Sequence, residues 1–190
     1  ALGINDEVAK IYKSFGYNIN KFKHFYLSIR NNESFKISKT SRYFEFKNLQ
    51  FRKLDSKNIK SELYDYTYQE FVSINNFKSK DYLKHRYSNH PNYKYMTLII
   101  KKGNTEIAKL IVRKIVVNES SCLRVVDTSE IKVLSIKDMI LIRFSIINLL
   151  FKYKIEYIDI LTSEDGSFIA YLLGFIKVNK EKDILPNYFE

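Results

Sequence analysis

The sequence predicts a mixed α/β fold, a central mixed β-sheet flanked by helices. From residue 79 onward the apolar residues switch between helical and extended spacing in the order α-β-β-β-α-β-α-β-β. A long apolar helical run over 135–152 is followed, after Tyr153 and Lys154, by the mostly apolar segment 155–161. That is the pattern of a crossover helix delivering the chain to a central strand. Lys102-Gly103-Asn104 separates two alternating runs, as a tight hairpin requires. Two crossover helices in one sheet follow from this order.

Residues 6–15 read as a short helix, capped by Asn5 or Asp6 and stopped at Gly16, with Val8, Ile11, Tyr12 and Phe15 as its apolar stripe. Residues 21–29 read as a strand with Phe22, His24, Tyr26 and Ser28 on one face and Lys23, Phe25, Leu27 and Ile29 on the other. Residues 41–54 alternate as a strand does, and 61–73 suit a helix through Leu63, Tyr66 and Glu70. Ser79 caps a helix that runs to Tyr87 and ends before His90-Pro91. Strands are expected over 95–101, 106–117 and 122–127, with a second turn at 118–121. Ser135 caps the long helix to about Lys152, with Ile136, Ile140, Phe144, Ile147 and Phe151 towards a core. A central strand over 155–161, a short helix over 167–173 ended by Gly174, and strands over 175–179 and 184–189 complete the series.

The formal net charge is +11, from 32 Lys and Arg against 21 Asp and Glu. Such a balance points to nucleic acid, anionic lipid or a phosphorylated ligand only when the cations cluster. Here they are scattered; the richest window, 47–60, carries Asp55 within it and no arginine-aromatic register. The joint excess of Lys, Ile, Asn and Tyr fits a bias towards A/T-rich codons, and a ligand with several phosphates is the next reading. Nucleic acid is disfavoured, because no recognition helix or aromatic strand motif stands out. The single cysteine, Cys122, excludes an internal disulfide and sits in an apolar strand-like run, as a buried small residue does. No apolar run approaches the ~18 residues of a membrane span, and no leader pattern opens the chain, so a cytoplasmic location is the expectation. Three scattered histidines and one cysteine form no zinc-type spacing, and no phosphate-binding glycine loop, dinucleotide fingerprint or nucleophile elbow occurs.

Two short segments share a pattern. Ala9-Lys10-Ile11-Tyr12-Lys13-Ser14-Phe15-Gly16-Tyr17 and Ile169-Ala170-Tyr171-Leu172-Leu173-Gly174-Phe175 each carry a small residue and a tyrosine on a helix that ends in glycine-aromatic. With the element order, they resemble the GNAT family of acyl-CoA-dependent acyltransferases. Tyr82-Leu83-Lys84-His85-Arg86-Tyr87, His90-Pro91 and Leu185-Pro186-Asn187-Tyr188-Phe189-Glu190 are similar to tandem-unit, acyltransferase-like proteins of bacterial surface-polysaccharide biosynthesis. The resemblance implies three regions: 1–30 as the tail of a first GNAT-like unit, 31–70 as a connecting segment, and 71–190 as a GNAT-like domain. It implies transfer of an acyl group from acyl-CoA, such as acetyl-CoA, to an amine or hydroxyl of a sugar or other small-molecule acceptor. A non-catalytic GNAT-like scaffold is the alternative, and a homo-oligomer stays open.

Acyl transfer needs N–H donors for the CoA pyrophosphate at a helix N-terminus, and a base for the nucleophile's proton. The matching loop implies cofactor contacts from Ser129, Ile131, Lys132, Leu134, Ser135 and Lys137. It contains no glycine, and Glu130 would repel a diphosphate that Lys132 and Lys137 attract. Asp127, at the end of its strand, is the implied base, with Glu130 as rival. Tyr171 is the implied acid, although Ala170 occupies the family's tyrosine place, a shift of about 100° around a helix that suits packing equally. His85, Arg86 and His90 would border the acceptor cleft, where Arg86 can fork onto a carboxylate or phosphate; surface charge and a proline-directed turn explain them as well. His24 is accounted for by a tyrosine-rich sheet face. The resemblance also demands a V-like opening between neighbouring parallel strands, one ending near Asp127 and one starting near Ile155.

Overall fold

Hydrogen-bond ladders between strands, more than local propensity, decide where the extended segments of this chain begin and end. The structure, a computed structural model, describes residues 6–19, 22–30, 36–45, 59–66, 80–128 and 135–186. Its elements are α1 (Asp6–Ser14), β1 (Lys23–Arg30), β2 (Phe44–Glu45), β3 (Ile59–Asp65), α2 (Lys80–Leu83) with a π-helical turn (Lys84–Ser88), β4 (Met96–Lys102), β5 (Thr105–Val117), β6 (Ser120–Thr128), α3 (Ile136–Lys152), β7 (Ile155–Thr162), α4 (Glu164–Leu172) and β8 (Ile176–Lys177). The strands form one mixed sheet in the order β2-β1-β7-β6-β5-β4-β3, with β8 also bonded to β1. The chain is thus mixed α/β, with helices packed on a mixed sheet.

Strands β3 to β6 form an antiparallel meander. Its last turn places Asn118 and Glu119 at φ 48° and 64°. Positive φ at both central residues is the hairpin geometry that matches strand twist. From β6 the chain crosses through α3 to β7, which pairs parallel to β6. Strand β1 is antiparallel to both β7 and β8, so α4 makes a second crossover that steps past β1. The segment 1–30 therefore contributes a strand to the same sheet as the later elements.

Helices α3 and α4 cover one face. Phe25, Leu27, Leu98, Val112, Leu123 and Ile158 pack there against Ile142, Ile146, Leu149 and Leu150 of α3. Successive strand residues point to opposite faces, so Ile111, between Leu110 and Val112, lies on the other side. There it joins Leu83, Tyr87 and Tyr95 in a second cluster. That second face is polar across its centre, with Ser28, Arg124 and Asp159 all buried.

Buried carboxylates fasten the covering segments to this polar face. Glu156 accepts from the backbone N–H of Ile37 (3.1 Å) and Ser38 (3.0 Å) and from the hydroxyls of Ser38 (2.9 Å) and Ser120 (3.1 Å). Asp183 accepts from Ser41 N (2.7 Å), Asn179 N (2.8 Å) and the Tyr26 hydroxyl (3.2 Å). Each carboxylate satisfies backbone donors that a loop lying on a sheet would otherwise leave unmade.

Several expectations change. The start of the 61–73 helix is instead strand β3, held by a seven-pair ladder to β4 from Ile59↔Lys102 to Asp65↔Met96. Cross-strand pairing outweighs weak local preference there; residues 67–73 lie outside the described residues. Of the 41–54 strand only Phe44–Glu45 is seen, with 46–54 outside the described residues. The final strand reduces to one bridge between Ile184 and Lys39, and 187–190 are outside the described residues. Ile136 and Ile140 of α3 face outward, 71% and 46% exposed, while Ile142, Ile146 and Leu149 are inside. Ile11, Tyr12 and Phe15 of α1 are exposed rather than packed. No helix among the described residues is long and apolar enough to cross a membrane.

Candidate functional site

The site is built where two parallel strands part. Register between β6 and β7 runs from Ser121↔Ile155 to Val125↔Ile160 and stops. Beyond it, Asp127 and Thr128 of β6 follow β5, pairing with Ile111 and Leu110. Leu161 and Thr162 of β7 instead follow β1, pairing with His24 and Lys23. Each strand stays with its outer neighbour, and a wedge opens between them.

A β-bulge sits at the point of parting. Val112 pairs with Val125 and Ile111 with Asp127, so Val126 is the extra residue. A bulge bends its strand and re-aims the following side chains. Here it brings Asp127 to the Tyr87 side of the sheet, where Asp127 Oδ2 accepts the Tyr87 hydroxyl at 2.8 Å and Oδ1 accepts the Thr128 N–H at 2.9 Å. Tyr87 is buried, edge-on to Tyr66 and Tyr95. Burial, and then the Asp127 charge, push the Tyr87 hydroxyl far above the usual tyrosine range. Tyr87 therefore keeps its proton and acts as a fixed donor to Asp127.

On the helix side the wedge widens into an apolar cavity of about 110 Å³. Val125 and Thr128 of β6, Ile160 and Thr162 of β7, Ile142 and Ile146 of α3, and Gly166 and Ala170 of α4 are among the residues lining it. Gly166 is required by this packing, because a Cβ there would run into the Thr162 hydroxyl.

The other sequence-derived candidates come from several elements. Ser135 caps α3: its Oγ accepts from Asp138 N (3.2 Å) and donates to Asp138 Oδ2 (3.0 Å). Lys102 reaches Asp138 at 2.7 Å. The lysine bond, with the Ser135 hydroxyl, holds the Asp138 carboxyl below its ordinary range. The α3 N-terminus thus carries its own neutralised anion, and Lys137 is exposed beside it. Ser129, Ile131, Lys132 and Leu134, with Glu130, lie outside the described residues.

Tyr171 does not line the cavity. It is half-exposed, and its ring meets Phe25 edge-on with centroids 4.9 Å apart. Ala170, its neighbour in the helix, is among the residues that line the cavity. His85 and Arg86 are exposed on the π-helical turn. His90 folds back on its own loop: Nδ1 accepts from the N–H groups of Asn92 and Tyr93, each at 3.2 Å, and the ring stacks on Tyr93 at 4.7 Å. His90 also meets the Tyr95 ring edge-on at 5.8 Å, and the Arg86 charge acts on the same tyrosine.

Sequence reading missed a buried ionic cluster beside the wedge. Arg124 grips Asp159 through both Nε and Nη2, and Nη2 also donates to the Pro186 carbonyl at 3.2 Å. His24 Nε2 lies 2.8 Å from Asp159 Oδ2. The signal was present in Asp159 itself, a carboxylate inside an apolar central strand, since a buried charge requires a partner.

Comparison with protein-family models, with curated proteins and with solved structures returns no match.

Proposed function

We propose that this chain is an acyltransferase of the GNAT plan, moving an acyl group from an acyl-CoA thioester to an amine or hydroxyl, with a sugar or cell-envelope precursor as acceptor. The observation that carries the reading is the parting of β6 from β7 past Val125 and Ile160, with Asp127 on one side and an apolar cavity on the other. Such an opening lets a thioester donor lie on the helix side and an acceptor approach from the Asp127 side. The acceptor's nitrogen or oxygen attacks the thioester carbonyl while Asp127 takes its proton. The C–S bond then breaks, and the thiolate leaves and is protonated from water. Tyr87 holds Asp127 in place and stays protonated throughout.

Acyl-CoA should raise the melting temperature saturably, and acceptor should release free CoA thiol. Asp127→Asn should lower turnover about a hundredfold or more while binding persists, the loss typical of a missing general base. Absence of any acyl-CoA effect on melting, or full turnover in Asp127→Asn, overturns the reading or the role of Asp127 respectively.

A non-catalytic module of the same plan is favoured by one observation, the packing of Tyr171 on Phe25 away from the cavity. Thioester binding without acceptor-dependent thiol release distinguishes it.

A further inference from the structure

We infer that the cavity between the parting strands and the two helices holds an aliphatic chain of about four to six carbons, by analogy with engineered apolar cavities that accept benzene-sized ligands. This rests on the proposed acyl-transfer reading only in naming the carrier: in a transferase the chain is the acyl group of the donor thioester.

The cavity has an inside and a mouth of different chemistry. Its interior is made by Ile100, Val125, Ile142, Ile146, Ala170 and Phe175, which are buried and carry no polar side-chain atom. Among the described lining residues the polar side chains are Thr128 and Thr162, at the ends of β6 and β7, which with Ile169 are less buried than the interior. Those two threonines stand where the strands have already separated. A ligand that suits this arrangement has an apolar tail inward and a hydrogen-bonding head at the opening, as an acyl thioester does.

Size sets the chain length. The cavity measures about 110 Å³, whereas an apolar cavity of about 150 Å³ is dry and admits benzene. An acetyl group would leave most of that space empty, and a chain much longer than six carbons would not fit without displacing α4. A chain seated there would make packing contacts with these apolar walls.

The test is calorimetric binding of acetyl-, butyryl-, hexanoyl- and decanoyl-CoA, with 1-hexanol as a carrier-free probe. Wild type, Ala170→Leu and Ala108→Val are compared; Ala170 of α4 and Ala108 of β5 line the cavity from the helix and sheet walls, and melting curves report whether each variant still folds. Affinity should tighten about a hundredfold or more from acetyl- to hexanoyl-CoA, since four methylenes are added and each, when buried, adds about fourfold. It should gain nothing further at decanoyl, and both filled variants should lose the gain while still binding acetyl-CoA. Thioesters that bind equally at every chain length overturn the inference and leave acyl transfer standing. Hexanol binding that the filled variants abolish, with no thioester bound, supports the aliphatic site and overturns the transferase reading. Failure of both hexanol and long thioesters to bind overturns the inference.

Discussion

The Tyr87 hydroxyl donates to Asp127 across 2.8 Å, tying a π-helical turn to the strand just past its bulge. The bond fixes which way Asp127 points and covers the strand end with an aromatic cluster. Burial and the Asp127 charge act in the same direction on Tyr87, so donor and acceptor roles do not exchange at neutral pH. Removing the hydroxyl leaves the ring packing intact and deletes only this link. Tyr87→Phe should therefore lower stability by about 1.5–3 kcal/mol, the range for a hydrogen bond to a charged group. Urea unfolding measures it. A variant as stable as wild type would show that solvent replaces the bond at no cost.

Asp183 gives a pH signature with a definite sign. Burial opposes ionisation, but the N–H groups of Asn179 and Ser41 and the hydroxyls of Ser41 and Tyr26 outweigh it, and the carboxyl is held below its usual range. A folded-state value below the unfolded one contributes stability above the unfolded value near 3.9, roughly, and loses it as pH falls through the folded value. Asp183→Asn should cost about 1–3 kcal/mol at pH 7. The gap from wild type should hold down to about pH 5 and narrow from there towards pH 3. Urea midpoints across that range check it; a gap that widens on acidification contradicts the assignment.

Cys122 should be inert in the native state. It is 1% exposed, and burial pushes its thiol up to about 11. Alkylation requires thiolate and access together. Labelling by iodoacetamide at pH 8 should be at least about a hundredfold slower in the folded protein than in urea. Equal rates would mean that β6 opens readily.

What was legible in the sequence was what local chemistry determines. The Gly103 and Asn118 turns, the Ser135 cap and the crossover from β6 through α3 to β7 are written in residues next to one another. The buried stripe of α3 was legible only in part: Ile147 is inside and Phe144 and Phe151 pack against the core, but the isoleucines surround most of the helix, and only the sheet beneath selects Ile142 and Ile146 over Ile136 and Ile140. The Asp159 cluster was half legible: a lone carboxylate in a central strand announces a partner, but Arg124 and His24 come from strands paired on either side of it. Asp127 was found as a strand-end carboxylate. Its tether to Tyr87 was not, since that depends on the Val126 bulge, which has no glycine or other local mark.

Gly166 and Thr162 carry the sharpest test of how α4 sits on the wedge. Both line the cavity, and a Cβ at Gly166 would collide with the Thr162 hydroxyl oxygen while coming within 3.3 Å of Thr162 Cβ. With the Thr162 hydroxyl in this position, the first turn of α4 leaves no room for a Cβ at Gly166. Gly166→Ala would ordinarily help a helix by about 1 kcal/mol, so any net loss is a lower bound on the cost of the collision. We expect Gly166→Ala to destabilise by about 1–3 kcal/mol, the usual cost of overpacking. Thr162→Ala, which removes the obstructing oxygen, should cost little, because that hydroxyl donates only to the Ser163 carbonyl at an exposed site. In the double variant most of the Gly166→Ala penalty should vanish, giving a coupling energy of about 0.5–3 kcal/mol. Additive losses would show that α4 does not press on β7, and the cavity between them would then lack its wall.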